Sequence, residues 1–124
     1  MWEIEYVDGF ARSLKKFAKA HRSESLNAIS NTNSYLNALN SGLKPQQIER
    51  GFLHHEPLGI KAFDQNGPGA HKKETRLYGY PDEVTETLYL ILISGKDEQE
   101  RDIEACKRFV NRLLHGRNQS DKGE

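Results

Sequence analysis

Arg76, with Lys72 before it and Tyr78 and Tyr80 after it, centres the stretch of the chain richest in chemistry, KKETRLYGY. In an extended strand alternate residues share a face, so Lys72, Arg76, Tyr78 and Tyr80 would form one surface of cations and aromatic planes. Such a surface suits a nucleic acid. An arginine fork matches two phosphate oxygens, and flat rings stack against bases. Lys73 beside them, Lys61 on the neighbouring strand and Lys96 at the end of the following one extend the set. His54, His55 and His71 are the candidates for proton transfer, because only imidazole titrates near neutral pH without a large perturbation. His55 and His71 are preferred. The plain alternative is a solvated strand face on which Arg76 pairs with Glu74 or Glu86.

Composition limits what this surface can be. The 124 residues suit one domain with one core. Lys and Arg total 18 against 18 Asp and Glu, so a polyanion contact has to come from a local patch. The single cysteine, Cys106, excludes an intrachain disulfide and lacks the paired spacing of a zinc site; it reads as a buried helix residue in a reducing compartment. No apolar run approaches a membrane span, and MWEIEYVDGF has neither the basic nor the apolar region of a leader. The expectation is a cytoplasmic, unexported protein.

The elements that must position these groups follow from periodicity. Residues Trp2 to Val7 alternate over the first four positions and favour a strand, after which Asp8 is placed to cap a helix. Phe10, Leu14, Phe17 and Ala18 recur at helical spacing, leaving Arg12, Lys15, Lys16 and Lys19 toward water. A second helix from Ser23 or Glu24 to about Asn40 would bury Leu26, Ile29, Leu36 and Leu39, with Gly42 and Pro45 ending it. Its asparagines at 27, 31, 33, 37 and 40 lower helix propensity and predict a frayed or short helix with a solvated face.

From Gly51 the pattern turns to strands: 52–63, the turn-rich loop 64–70, 72–80, the turn 81–83 and 84–94. Leu88 to Ile93 is apolar on both faces, so both must be covered. The cover is a helix from Asp97 to Leu114, packing Ile103, Cys106, Val110 and Leu113 inward and capped by Asp97. Residues 1–115 would form the domain and 116–124 a disordered polar tail.

The order β-α-α-β-β-β-α, the strand Thr75-Arg76-Leu77-Tyr78-Gly79-Tyr80, the run Leu90-Ile91-Leu92-Ile93-Ser94-Gly95-Lys96 and the segment Asp102-Ile103 to Val110 resemble the RelE/ParE superfamily of type II toxin–antitoxin toxins. His55-Glu56-Pro57-Leu58-Gly59-Ile60 looks like the lead into the meander of HigB-like members. The resemblance implies an α+β fold with two N-terminal helices packed on a twisted antiparallel sheet. It also implies a toxin: RelE-type and HigB-type members cut mRNA at the ribosome without a metal or other cofactor, whereas ParE-type members inhibit DNA gyrase.

On that basis Arg76, His55, His71 and Lys96 are the expected catalytic residues, and Lys61, Lys72, Lys73, Tyr78 and Tyr80 the expected RNA contacts. The expected partners are mRNA on the ribosome and a cognate antitoxin forming a hetero-oligomer, with Tyr35, Phe52 and Tyr89 as contacts. Two positions depart from the family pattern. Asp97 stands where a further basic residue is expected, and Ile103 where an aromatic acid or base is expected. The alternatives are a non-catalytic gyrase-binding toxin and a non-toxic, phage-derived interaction module.

Overall fold

The computed structural model describes residues 1–69 and 72–122. They form an α+β fold with a five-stranded mixed sheet and three helices. In chain order these are β1 (Glu3–Tyr6), α1 (Phe10–Ala20), α2 (Arg22–Asn40), β2 (Leu53–His55), β3 (Lys61–Phe63), β4 (Thr75–Asp82), β5 (Thr87–Gly95) and α3 (Gln99–Lys122). The strands lie in the order β1-β5-β4-β3-β2.

Two details correct the expected topology. The sheet is mixed, because β1 pairs with β5 in parallel while the other pairings are antiparallel. The segment 52–63 is two strands, not one. Pro57 starts a tight turn, Leu58 takes a positive φ of 62°, and the chain doubles back so that β2 pairs with β3.

The helical hairpin covers one face of the sheet. There Phe10, Tyr35, Ile48, Phe63, Leu77 and Ile93 belong to one buried cluster. Gly9, with φ 96°, takes the N-cap position of α1 that Asp8 was expected to hold. In α2 the buried residues are Glu24, Ser25, Ala28, Thr32, Tyr35, Ala38 and Leu39, and Leu26 is exposed. The inward stripe is thus rotated from the expected one, and Tyr35 is core, not partner surface.

The asparagines explain how α2 stays regular over 19 residues. Asn31 Nδ2 donates to the carbonyls of Asp64 and Asn66, both at 2.8 Å. Asn40 Oδ1 accepts from Trp2 N at 2.7 Å. Side chains that weaken a helix locally here tie it to the 64–68 loop and to β1.

On the other face α3 packs Cys106 and Val110 against Ile60, Ala62, Tyr78 and Ile91. Both faces of β5 are covered, as its apolar run requires. The helix follows a short turn at Lys96–Glu98 and continues to Lys122, through most of the tail expected to be disordered. Arg117 anchors it, donating through Nη1 and Nη2 to buried Asp82. Residues 123–124 lie outside those described. Among the described residues no helix is long and apolar enough to cross a membrane.

Candidate functional site

Strand β1 pairs with Thr87 to Leu90, so among the described residues the second half of β5 has no strand neighbour on that side. An uncovered strand edge offers unpaired backbone groups. α1 lies on one face of this free edge and α3 on the other, and the space between them is a cleft of about 480 Å³. Ser13 answers part of the edge, accepting from Ile93 N through Oγ at 3.2 Å.

Side chains with charge and chemistry line the cleft. α1 and the residue after it contribute Lys16, Phe17 and His21; the chain entering β4 contributes Lys73; the turn before α3 contributes Asp97 and Glu98, and the start of α3 Arg101 and Asp102. The His21 ring rests against Phe17 at a centroid distance of 4.8 Å. Lys73 Nζ reaches across Gly95 to Asp97 Oδ1 at 3.0 Å, and that contact holds the Asp97 pKa below the ordinary range. A Cβ on Gly95 would lie 2.4 Å from both the Lys73 Cε and Asp97 Oδ1 atoms, so the crossing needs a glycine. Arg101 pairs with Glu98 at 3.3 Å and with Asp102 at 3.6 Å. Lys16 has no ion-pair partner among the described residues.

Asp102 is 4% exposed and burial raises its pKa, against hydrogen bonding to Ser94 and the charge of Arg101. Its Oδ2 has no hydrogen-bond partner among the described residues. Arg76 sits opposite Ser94 in the β4–β5 ladder, so paired side chains bring it to the same side of the sheet as Ser94. It is 8% exposed, donates through Nη1 to Thr75 O at 3.0 Å and leaves Nε unpartnered. Its expected carboxylate partners are engaged elsewhere: Glu74 with Lys96 at 3.3 Å and Glu86 with the N-terminus at 3.2 Å.

The other predicted residues divide between the two ends of the sheet. Lys96 borders a shallow depression beside the cleft with Lys73, Glu74 and Asp97. Lys72 is exposed and precedes β4, its backbone N–H bonding Glu24 Oε2, so it does not extend the Arg76 face. Tyr78 is fully buried beneath α3 and Tyr80 half-buried against Gly59. The stacking surface expected from these tyrosines is therefore covered, because α3 takes the apolar area that the alternation left open.

Lys61 lies opposite Gly79 and one residue out of step with Tyr78, which places it on the opposite face of the sheet from Tyr78 and Arg76. There Lys61 Nζ meets His55 Nδ1 at 2.7 Å, and His55 Nε2 meets Glu49 Oε1 at 2.6 Å. Burial lowers the Lys61 pKa, partly offset by Glu49. His55 and Lys61 thus form a carboxylate–imidazole–amine chain at the β2–β3 end, far in the strand order from the cleft. His54 bonds Asp64 Oδ2 at 2.8 Å. His71 lies outside the described residues.

His21, Lys16, Arg101 and Asp102 as a site were missed by sequence reasoning, which assigned Lys16 to solvent. The available signal was the α1 stripe Ser13, Phe17, Ala20, His21, whose spacing puts one polar face beside the aromatic one. Compared with protein-family models, curated proteins and solved structures, the chain finds no match, and the reading of this cleft rests on its own chemistry.

Proposed function

We propose that this chain is the toxin of a type II toxin–antitoxin system, of the RelE/ParE kind, cutting mRNA on the ribosome by metal-independent attack of a 2′-hydroxyl on the adjacent phosphate. Two N-terminal helices on the sheet, the meander and a covering C-terminal helix are compatible with a RelE-like fold. The observation that carries the reading is the cleft, where one imidazole faces a group of cations at an accessible strand edge. His21 is the general base for the 2′-hydroxyl. Lys16, Lys73 and Arg101 supply positive charge for the non-bridging oxygens of the pentacovalent phosphate, and Phe17 offers a flat wall for a base. Lys73 and Arg101 exchange their carboxylate partners for phosphate on binding.

A cognate antitoxin would seat on the apolar pocket between β1, α1 and α2, where Tyr6 is 64% exposed beside Ile4, Phe10 and Ile29. One observation favours the non-catalytic alternative, a gyrase-binding toxin or an interaction module: two of the cleft's three cations are already in ion pairs. Mapping of 5′ ends on a reporter mRNA in translating ribosomes separates the two. The protein should generate new ends within codons, and His21→Asn should lower their rate by roughly 10²–10⁴-fold. Asparagine preserves the backbone role of residue 21, whose carbonyl accepts from Ser25. A folded protein that generates no new ends would retire the nuclease and leave binding without hydrolysis.

A further inference from the structure

The reaction just described needs a proton donor for the departing 5′ oxygen, and the aromatic residue expected for that task is absent at Ile103. Resting on that reading, we propose that Asp102 is the general acid of the cleft. Asp102 is one of the cleft's lining residues, in the first turn of α3, and Lys16 and His21 line the cleft from the α1 side. Side-chain contacts do not exhaust the Asp102 carboxyl. Oδ1 faces Arg101 at 3.6 Å, Ser94 acts on the carboxyl beside it, and Oδ2 is enclosed with no partner among the described residues.

A buried carboxyl placed for structure is normally satisfied by donors. Here one of the two oxygens has no donor, in a site where burial disfavours the charged form. Its charged and titratable surroundings are Arg101, Glu98 and Cys106 on α3 and Tyr78 on β4, with Arg76 acting on that same tyrosine. Burial raises the Asp102 pKa, which favours the protonated form that a general acid needs.

The step balances without a further reactant. The 2′-hydroxyl proton passes to His21 as the O2′–P bond forms. The P–O5′ bond breaks, its electron pair goes to O5′, and that oxygen takes the Asp102 proton. The products are a 2′,3′-cyclic phosphate and a 5′-hydroxyl, and solvent exchange restores His21 and Asp102.

The test replaces the leaving oxygen. A short mRNA carries either an ordinary linkage or a single 5′-bridging phosphorothiolate in the ribosomal A site. Sulfur departs as a thiolate and needs no proton. Asp102→Asn should slow cleavage of the oxygen linkage by roughly 10²-fold or more, and cleave the sulfur linkage at close to the wild-type rate. Asp102→Glu should recover part of the loss on oxygen.

Equal loss on both linkages, or no loss on oxygen, would overturn the assignment. Should the variants not fold, the wild type carries the test alone. Its rate on oxygen should fall as rising pH removes the acid's proton, and that fall should vanish on sulfur; its persistence on sulfur would overturn the proposal. A wild type that cleaves neither linkage overturns the endoribonuclease reading, and this assignment with it.

Discussion

The face of the sheet under α1 and α2 and the face under α3 both bury side chains deeply, but they differ in how their buried polar atoms are met. Under the hairpin the core joins large apolar groups from both helices, the sheet and the 45–52 segment, where Ile48 is fully buried. Beneath α3 the apolar cluster is smaller and shares its space with Arg76, Tyr78 and Asp102. Of the four buried side-chain atoms without partners among the described residues, Arg76 Nε, Tyr78 Oη and Asp102 Oδ2 lie on the α3 side; Tyr35 Oη lies under the hairpin. An orphaned buried polar group costs on the order of 1–3 kcal/mol. The hairpin face is built for stability, and the α3 face gives some of it up to hold polar groups behind the cleft.

The largest effect that tests this contrast compares one residue type on the two faces. Phe63→Ala removes a fully buried ring packed 5.0 Å from Tyr35 and should cost about 3–5 kcal/mol in urea unfolding. Phe109→Ala, on α3 and only partly buried against Tyr89, should cost less than about half of that. Equal costs would break the distinction between the faces.

How much of this was legible depends on whether a residue's role was set by its neighbours along the chain. The β5 run and the α3 positions Ile103, Cys106 and Val110 declared their burial by period alone. α2 did not, since its inward face uses Ser25, Ala28 and Thr32, and its asparagines are bonded to a loop more than 30 residues away. The Arg76 strand was found but its surface misjudged, because strand alternation assigns a face without saying what packs on it. The cleft was unreadable for a different reason. It exists because β1 stops at Tyr6 and leaves half of β5 open, a fact of parallel pairing across the whole chain.

Next in size is the anchor of α3. Asp82 is 2% exposed and bound by Arg117 and Thr85. Burial raises its carboxyl, but the hydrogen bonds from Arg117 and Thr85 outweigh this and hold its pKa below the ordinary value. A depressed carboxyl adds stability above its unfolded pKa, and that stability is lost as pH falls through the folded pKa. Arg117→Gln should therefore cost about 1–3 kcal/mol at neutral pH and progressively less below about pH 4. A cost that does not change with pH would separate α3 anchoring from this ion pair.

Asp102 has the opposite sign. A carboxyl raised by burial contributes stability below its unfolded pKa and loses it as pH rises through the folded pKa. The unfolded chain ionises this carboxyl at lower pH than the folded one does, so at neutral pH its burial opposes folding; Asp102→Asn should stabilise by roughly 1 kcal/mol there, and the gain should fade below about pH 4. Thermal melts at both pH values measure it. Destabilisation at neutral pH would mark Asp102 as a structural carboxylate and return the α3 face to ordinary packing.

The smallest effect concerns Asp97, which stands where the resemblance led to expectation of a cation. It is exposed, and its carboxylate holds Lys73 over Gly95. Exposed pairs contribute little to stability, so Asp97→Asn should leave the urea unfolding midpoint essentially where it is in the wild type. Freed of its carboxylate, Lys73 can turn to a phosphate without first breaking a bond. Binding of a short single-stranded RNA, read by fluorescence anisotropy at low salt, should tighten about two- to five-fold, with the difference shrinking as salt screens the cleft. Unchanged affinity would mean that Lys73 does not touch the RNA, leaving Lys16 and Arg101 to bind phosphate and making the Lys73–Asp97 crossing a brace for the turn into α3.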